Sequence, residues 1–391
     1  MLNLLKIAGQ MAALSAQLQQ EATELTVKLD WAEKLWHDAA KQQAKLTASR
    51  EQWGDRLAFA CAEPLEPLAT QVPLPVAPDV HTVLATDGSQ IAPSHHEIAF
   101  CYLINVGRVA LHYGSGVYPL LDSQPELFYK NEDWQTARRW NIPLEEWLST
   151  KRTVAEAIAL ADLAETVRTR RPHEPMVAFS DGSLLLWPLE AWPAEPRAQM
   201  LQDLTAAWAR LQQARVPVVG YTSAPRAIES TNFLRLQACP FPAPDCRQHC
   251  GDRRTLPCST LQPLRDATLG HRLLPPHHAG PLWQSHSAIA QRYPDPICFR
   301  YLHLGVEVIR LEMPHWVAAD PVCHGWVLAL TAAQTHKGMG YPVALAEAHN
   351  QAVVTAGDRH RFFALLDQEM QRAGLHPATS RKEARKRHSI A

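Results

Sequence analysis

No run of about 18 apolar residues occurs in the sequence, so no segment of it reads as a membrane-spanning helix. The amino-terminal stretch MLNLLKIAGQMAALSAQL has neither a basic start nor a small-residue cleavage site, and a soluble cytoplasmic protein without membrane association is expected. A GxxxxGK[ST] phosphate loop is missing, so any ATP-driven movement must come from a partner. Charge of one sign is missing too. The formal net charge of −1 argues against non-specific coating of nucleic acid, because such binding rests on neutralising phosphates. Any contact with nucleic acid must then be local. Three basic clusters offer it: Arg168, Arg170 and Arg171; Arg253 and Arg254; and Arg381, Lys382, Arg385, Lys386 and Arg387. Each also reads as an ordinary solvated helix end or tail. Finally, the eight cysteines sit at uneven spacings, which suits reduced thiols or one metal site better than a disulfide framework.

With 391 residues, 46% hydrophobic and 20% charged, the chain can bury one large core or two smaller ones. Residues 1–55 are nearly free of Gly and Pro and carry apolar residues at helical spacing, which predicts one or two long amphipathic, coiled-coil-like helices. Residues 56–80 hold Pro64, Pro67, Pro73, Pro75 and Pro78 and read as a linker. The main domain is expected over 81–375. Within it, residues 225–296 are rich in Pro, Cys, His and Arg without periodicity and read as an insertion. Residues 376–391 read as a basic, disordered tail.

In the main domain, Val83 to Ala85 predicts a short buried strand ending at Asp87-Gly88-Ser89-Gln90. Ile98 to Val106 and Val109 to Tyr113 predict a hairpin turning near Gly107. A helix from about Thr150 to Thr169, a strand from Met176 to Ser180, a helix from about Ala198 to Ala214 and a strand from Val216 to Tyr221 follow. The order is β-β-β-α-β-α-β. Strand character returns over Cys298 to Glu312 around a turn at Gly305, and helices over Pro321 to His336, Pro342 to Thr355 and Asp358 to Arg372 complete the domain.

Two Asp-Gly-Ser triplets, Asp87-Gly88-Ser89 and Asp181-Gly182-Ser183, each follow a short apolar strand. A carboxylate there projects from the sheet end, and the glycine admits a close neighbour. One such triplet alone reads as a turn with a helix-capping Asp. Two on neighbouring strands can converge on a hard divalent ion such as Mg2+ or Mn2+, which takes oxygen ligands. This is an RNase H-like arrangement, which also calls for a carboxylate from the intervening helix. Glu156, with Arg152 one turn earlier, is one candidate and Glu165 is a rival. Later, Pro342 suits the first position of a helix, with Tyr341 at its mouth and His349 about two turns along, where a histidine can ligate metal or hold a phosphate and its attacking water.

Asp87 in ATDGSQ, Arg152-x-x-x-Glu156, Asp181 in SDGSL, and Gly340-Tyr341-Pro342 followed by Ala348-His349 together resemble the NurA nucleases, across roughly Ala85 to Leu366. The resemblance implies an RNase H-like α/β core with Asp87, Glu156, Asp181, Tyr341 and His349 as catalytic residues. Of these, Asp87, Glu156, Asp181 and His349 would bind Mn2+ or Mg2+. It implies 5′ to 3′ exonuclease activity on DNA ends and endonuclease activity on single strands, in double-strand break repair. It also implies a homodimer docked on a hexameric HerA-like ATPase. RNA stays open as a substrate, because metal-bound carboxylates hydrolyse either backbone. The Glu156 to Asp181 distance is longer than is usual in the family, which keeps Glu165 open.

Two rival readings remain at this level. One is a non-catalytic RNase H-like module that binds DNA or the ATPase. The other is an actin-like kinase, which needs a duplicated β-β-β-α-β-α unit where only one is visible. In the Cys-rich segment, Cys239, Cys246, Cys250 and Cys258 read either as a structural Zn2+ site or as small core hydrophobes. The pairs His95-His96 and His277-His278 lack partner carboxylates, and the Trp residues from Trp134 to Trp192 read as packing.

Overall fold

In the computed structural model, which describes residues 3–93, 101–251 and 256–375, the chain forms two compact units. Pro75–Tyr221 and the residues from Trp316 onward make one; the residues up to Leu74 and Thr222–His315 make the other. His95-His96, Arg253-Arg254 and the basic tail lie outside the described residues.

The first of these units is a mixed sheet flanked by helices. Its strands are β1 (His81–Ile91), β2 (Tyr102–Tyr113), β3 (Leu120–Phe128), β4 (Met176–Asp181) and β5 (Val218–Thr222), in the order β5-β4-β1-β2-β3. Its helices are α1 (Glu132–Arg139), α2 (Leu144–Arg170), α3 (Ala194–Gln213), α4 (Pro321–Lys337), α5 (Val343–Ala352) and α6 (Ala356–Arg372). β1, β4 and β5 run parallel to one another, and β2 and β3 are antiparallel additions. The parallel strands are short apolar runs because both faces are covered: His81 to Thr86 and Met176 to Phe179 are buried throughout.

The hairpin expected at Gly107 is a correction. β2 runs unbroken from Tyr102 to Tyr113, and the third strand is Leu120–Phe128, between the expected hairpin and the helix that follows it. Gly107 serves close approach rather than a turn. A Cβ there would stand 2.4 Å from the Ala348 carbonyl oxygen and 2.5 Å from the Ala352 nitrogen, so its absence lets α5 lie directly on the sheet. The strand bearing the first Asp-Gly-Ser also continues through the triplet to Ile91 instead of ending at it.

In the second unit, helices Leu4–Lys41 and Gln43–Trp53 accompany helices Glu229–Gln237 and Asp266–Leu273 and the antiparallel hairpin of Ile297–His303 with Val308–Pro314. Ala32, Leu35, Ala39, Leu68, Phe233, Trp283 and Phe299 share its core. The Pro-rich stretch carries two short strands, Glu63–Pro64 paired with Trp283–Gln284 and Val72–Pro73 paired with His278–Ala279. Buried Arg310 bridges Glu229 (2.7 Å) and Glu312 (2.7 Å), a charged group inside this core that persists because it is paired. Among the described residues, no helix is long and apolar enough to cross a membrane.

Candidate carboxylate site

The parallel pairing of β1 with β4 ends at Thr86 opposite Ser180. The next residues are Asp87 and Asp181, so two carboxylates stand side by side on strands about 4.8 Å apart. Asp181 closes β4, and Gly182 turns the chain away with φ +82°. Asp87 shares a face with its cross-strand partner Gly107, the face on which α5 lies.

Gly88 points to the opposite face, and there the missing side chain admits Glu156. A Cβ at Gly88 would stand 2.4 Å from Glu156 Oε1 and 2.7 Å from Arg152 Cγ. The Thr86 hydroxyl donates to the Glu156 carbonyl (3.0 Å), fixing α2 against β1 at this level. Arg152 Nε stands 3.3 Å from Glu156 Oε1, close enough for charge attraction, although its N–H makes no aligned hydrogen bond. Burial pushes the Glu156 carboxyl up to about 8; Arg152 opposes the shift, and the negative charges of Asp87 and Asp181 add to it. Glu156 is thus within charge reach of Asp87 and Asp181, with Arg152 as the cation beside it. The rival Glu165 goes elsewhere, held by Arg210 at 2.6 and 2.8 Å in a surface group with Asp162.

α5 brings the remaining two residues. Its last turn is tied to the sheet where Ser89 Oγ and Asn105 Nδ2 (2.8 Å) donate to the Ala352 carbonyl. Its start is tied by Gln334, which accepts from the Ala344 nitrogen (3.0 Å) and donates to the Tyr113 hydroxyl (2.9 Å). His349, two-thirds exposed, thereby sets Nδ1 2.7 Å from Asp87 Oδ2. The Tyr341 hydroxyl donates to Asp181 Oδ1 (2.8 Å), with its ring edge-on to Tyr221 at 5.6 Å. The surrounding walls push the Asp181 carboxyl above its usual range, and the Tyr341 hydrogen bond works against that shift. Burial and the nearby Asp181 charge push the Tyr341 phenol up, so it stays a hydrogen-bond donor.

All five expected residues, Asp87, Glu156, Asp181, Tyr341 and His349, thus belong to one unit and one site. Asn105, Thr86 and Tyr221 join as positioning residues that nothing in the sequence singled out; the Gly88-Ser89 pair beside Asp87 carried the only local signal. The arrangement offers hard oxygen donors on two strands and a helix, a phenol that orients one acid, and a solvent-facing imidazole. Among the described residues, no three His, Cys, Asp or Glu side chains are already arranged to hold a metal ion; Asp87 and Asp181 face His349 and Tyr341 instead.

Other candidates find structural employment. Arg168 donates to the carbonyls of Ala214, Arg171, Pro172, Glu174 and Arg215, and Arg171 pairs with Glu174, so these two arginines of the first basic cluster staple chain, while Arg170 is exposed. Trp147 and Trp192 are buried and stacked at 5.6 Å. His278 Nδ1 meets the Pro276 carbonyl at 2.9 Å. Cys239, Cys246, Cys250 and Cys258 gather in the other unit, around one small cavity.

Compared with known proteins, residues 81–354 match the model of the NurA domain family. No curated protein matches the chain in sequence. In fold, it is similar to the crystal structure of the NurA nuclease from Sulfolobus solfataricus, with a TM-score of 0.52 at 15% identity, covering 95% of this chain and 98% of that one.

Proposed function

The chain belongs to the NurA family, and we propose that it is a metal-dependent deoxyribonuclease with an RNase H-like core, acting in the cytoplasm on DNA ends and single strands. The observation that carries this reading is the meeting of Asp87, Glu156 and Asp181 beside His349 and Tyr341.

The site suits Mn2+ or Mg2+ by its chemistry. Its donors are carboxylate oxygens, and Glu156, raised chiefly by burial and further by Asp87 and Asp181, would ionise beside a divalent cation. Asp87, Glu156, Asp181 and His349 would hold the ions. When bound, these supply an activated water and stabilise the leaving oxygen of a phosphodiester. The protein's own residues do the rest. Tyr341 fixes the Asp181 carboxylate by donating to Oδ1. His349 anchors Nδ1 on Asp87, which directs Nε2 outward to a phosphate oxygen or a water, as base or hydrogen-bond donor according to its protonation. Arg152 lies where a phosphate crossing the site would find a positive partner.

As in the family, the proposed activity is 5′ to 3′ exonuclease plus single-strand endonuclease, in double-strand break end processing, by a homodimer working with a HerA-like hexameric ATPase. The exposed Leu4, Met11, Leu14, Leu18 and Leu25 of the amino-terminal helix supply an apolar stripe for such a partner. The test is degradation of linear duplex and single-stranded DNA labelled at either end, with Mn2+, Mg2+ or EDTA, by the wild-type protein and by Asp87→Ala and His349→Ala. Cleavage lost in EDTA and in both folded variants supports the proposal, and the label gives polarity. Equal cleavage by all three proteins would mean contamination, and no cleavage by any, with the ATPase present, would favour the binding module.

A further inference from the structure

The second unit holds a group of side chains that the nuclease site leaves unused. Cys239 follows helix Glu229–Gln237, Cys246 and Cys250 span the single turn Cys246–His249, and Cys258 sits in the short 3-10 helix Pro257–Leu261. All four thiols line one small cavity with Leu57, Phe59 and Arg235.

The second observation is the cation beside them. Arg235 is only 8% exposed, its Nε has no hydrogen-bond partner, and among the described residues no carboxylate pairs with it. Its guanidinium lies 3.6 Å over the Phe59 ring, and one NH group reaches Asn232 Oδ1 at 3.3 Å. A buried charge without an opposite charge is strongly unfavourable. Arg235 lines the same small cavity as Cys239, Cys246, Cys250 and Cys258, so thiolates formed there would supply the opposite charge that it lacks.

We propose that Cys239, Cys246, Cys250 and Cys258 close on one structural Zn2+ as a tetrathiolate, with Arg235 as its buried counter-charge. Each thiol releases one proton to solvent on binding, and the centre of Zn2+ and four thiolates carries two negative charges, one of which Arg235 balances. Soft thiolates select zinc over the hard ions of the carboxylate site. The thiols do not yet stand in coordination positions, so closure needs rotation of the side chains about Cα–Cβ. A disulfide is the poorer use of the same sulfurs, because Cys246 and Cys250 are four residues apart on one helical turn, where Cβ atoms lie about 5–6 Å apart and a disulfide needs about 3.8 Å. His249 is outside the ligand set, stacked on Phe241 at 4.6 Å.

The experiment is elemental analysis of the full-length protein, purified without added metal and dialysed against EDTA, with Asp87→Ala, Cys246→Ser, Cys258→Ser and Cys258→His alongside. One zinc per chain is expected in the wild type, in Asp87→Ala and in Cys258→His, falling to background in the two serine variants, and cobalt substitution should give the intense visible bands of a tetrahedral thiolate centre. A folded wild type without zinc overturns the proposal, as does iron in its place, zinc lost with Asp87→Ala, or a Cys246–Cys250 disulfide found by mass spectrometry. The wild-type measurement stands even where a serine variant fails to fold.

Discussion

Replacing Glu156 with Gln probes the site without touching its strands. In the metal-free protein the Glu156 carboxyl is raised from 4.5 to about 8, chiefly by burial. A group whose folded-state value is raised stabilises the fold fully below its unfolded value, and that contribution is lost as pH climbs through the folded one. Between about pH 5.5 and pH 8 the ionising carboxyl should therefore remove on the order of 3 kcal/mol of stability. The side chain is 14% exposed, so solvent screening leaves most of this intact. Gln cannot ionise, and its amide fills the same space. Urea midpoints in EDTA at about pH 5.5, 7 and 8 should fall steeply with pH in the wild type and remain nearly flat in Glu156→Gln. At pH 8, Mn2+ should raise the wild-type midpoint and leave the variant's unchanged. Parallel pH slopes in the two proteins would refute the claim that Glu156 is buried among the other carboxylates.

Gly88→Ala puts a methyl 2.4 Å from Glu156 Oε1, so DNA cleavage should fall by about 100-fold or more, at a stability cost of roughly 1–3 kcal/mol read by the same urea titration. Tyr341→Phe removes the donor that holds the Asp181 carboxyl down, so the acidic limb of the pH–rate profile should move to higher pH; an unmoved limb would take Tyr341 out of that role. Glu165→Ala should leave cleavage unchanged and stability within about 1 kcal/mol, because Glu165 belongs to an exposed group with Arg210. A dead Glu165→Ala variant would overturn the choice of Glu156.

Asp87 and Asp181 were legible because an apolar strand followed by Asp-Gly-Ser is a local pattern, and the β-α-β spacing between the two implies parallel neighbours. His349 and Tyr341 were legible through the resemblance, while their hydrogen bonds to Asp87 and Asp181 were not, since they depend on where α5 lies. Gly107 misled for the same reason: a glycine within apolar sequence reads as a turn, and only a helix arriving from 240 residues later explains it as a contact. β3 was hidden because it is an edge strand exposed along nearly its whole length, without the alternation that a half-buried strand would show. Glu156 and Glu165 could not be separated from sequence, as both are polar residues on one helix; Arg210, on α3, holds Glu165, while Gly88, on β1, admits Glu156. Pairing of residues 1–74 with 222–315 in one unit left no signal, because periodicity records the face a helix buries and not its partner.

The most direct test of the carboxylate site is Mn2+ binding, read by paramagnetic resonance on the EDTA-stripped protein at about pH 8, with and without a non-hydrolysable DNA end. Wild-type protein should bind Mn2+ at the carboxylates, and folded Asp87→Asn and Asp181→Asn variants should lose that binding together with DNA cleavage. Mn2+ bound equally by the wild type and both variants, or not bound by the wild type even with DNA present, would contradict the account.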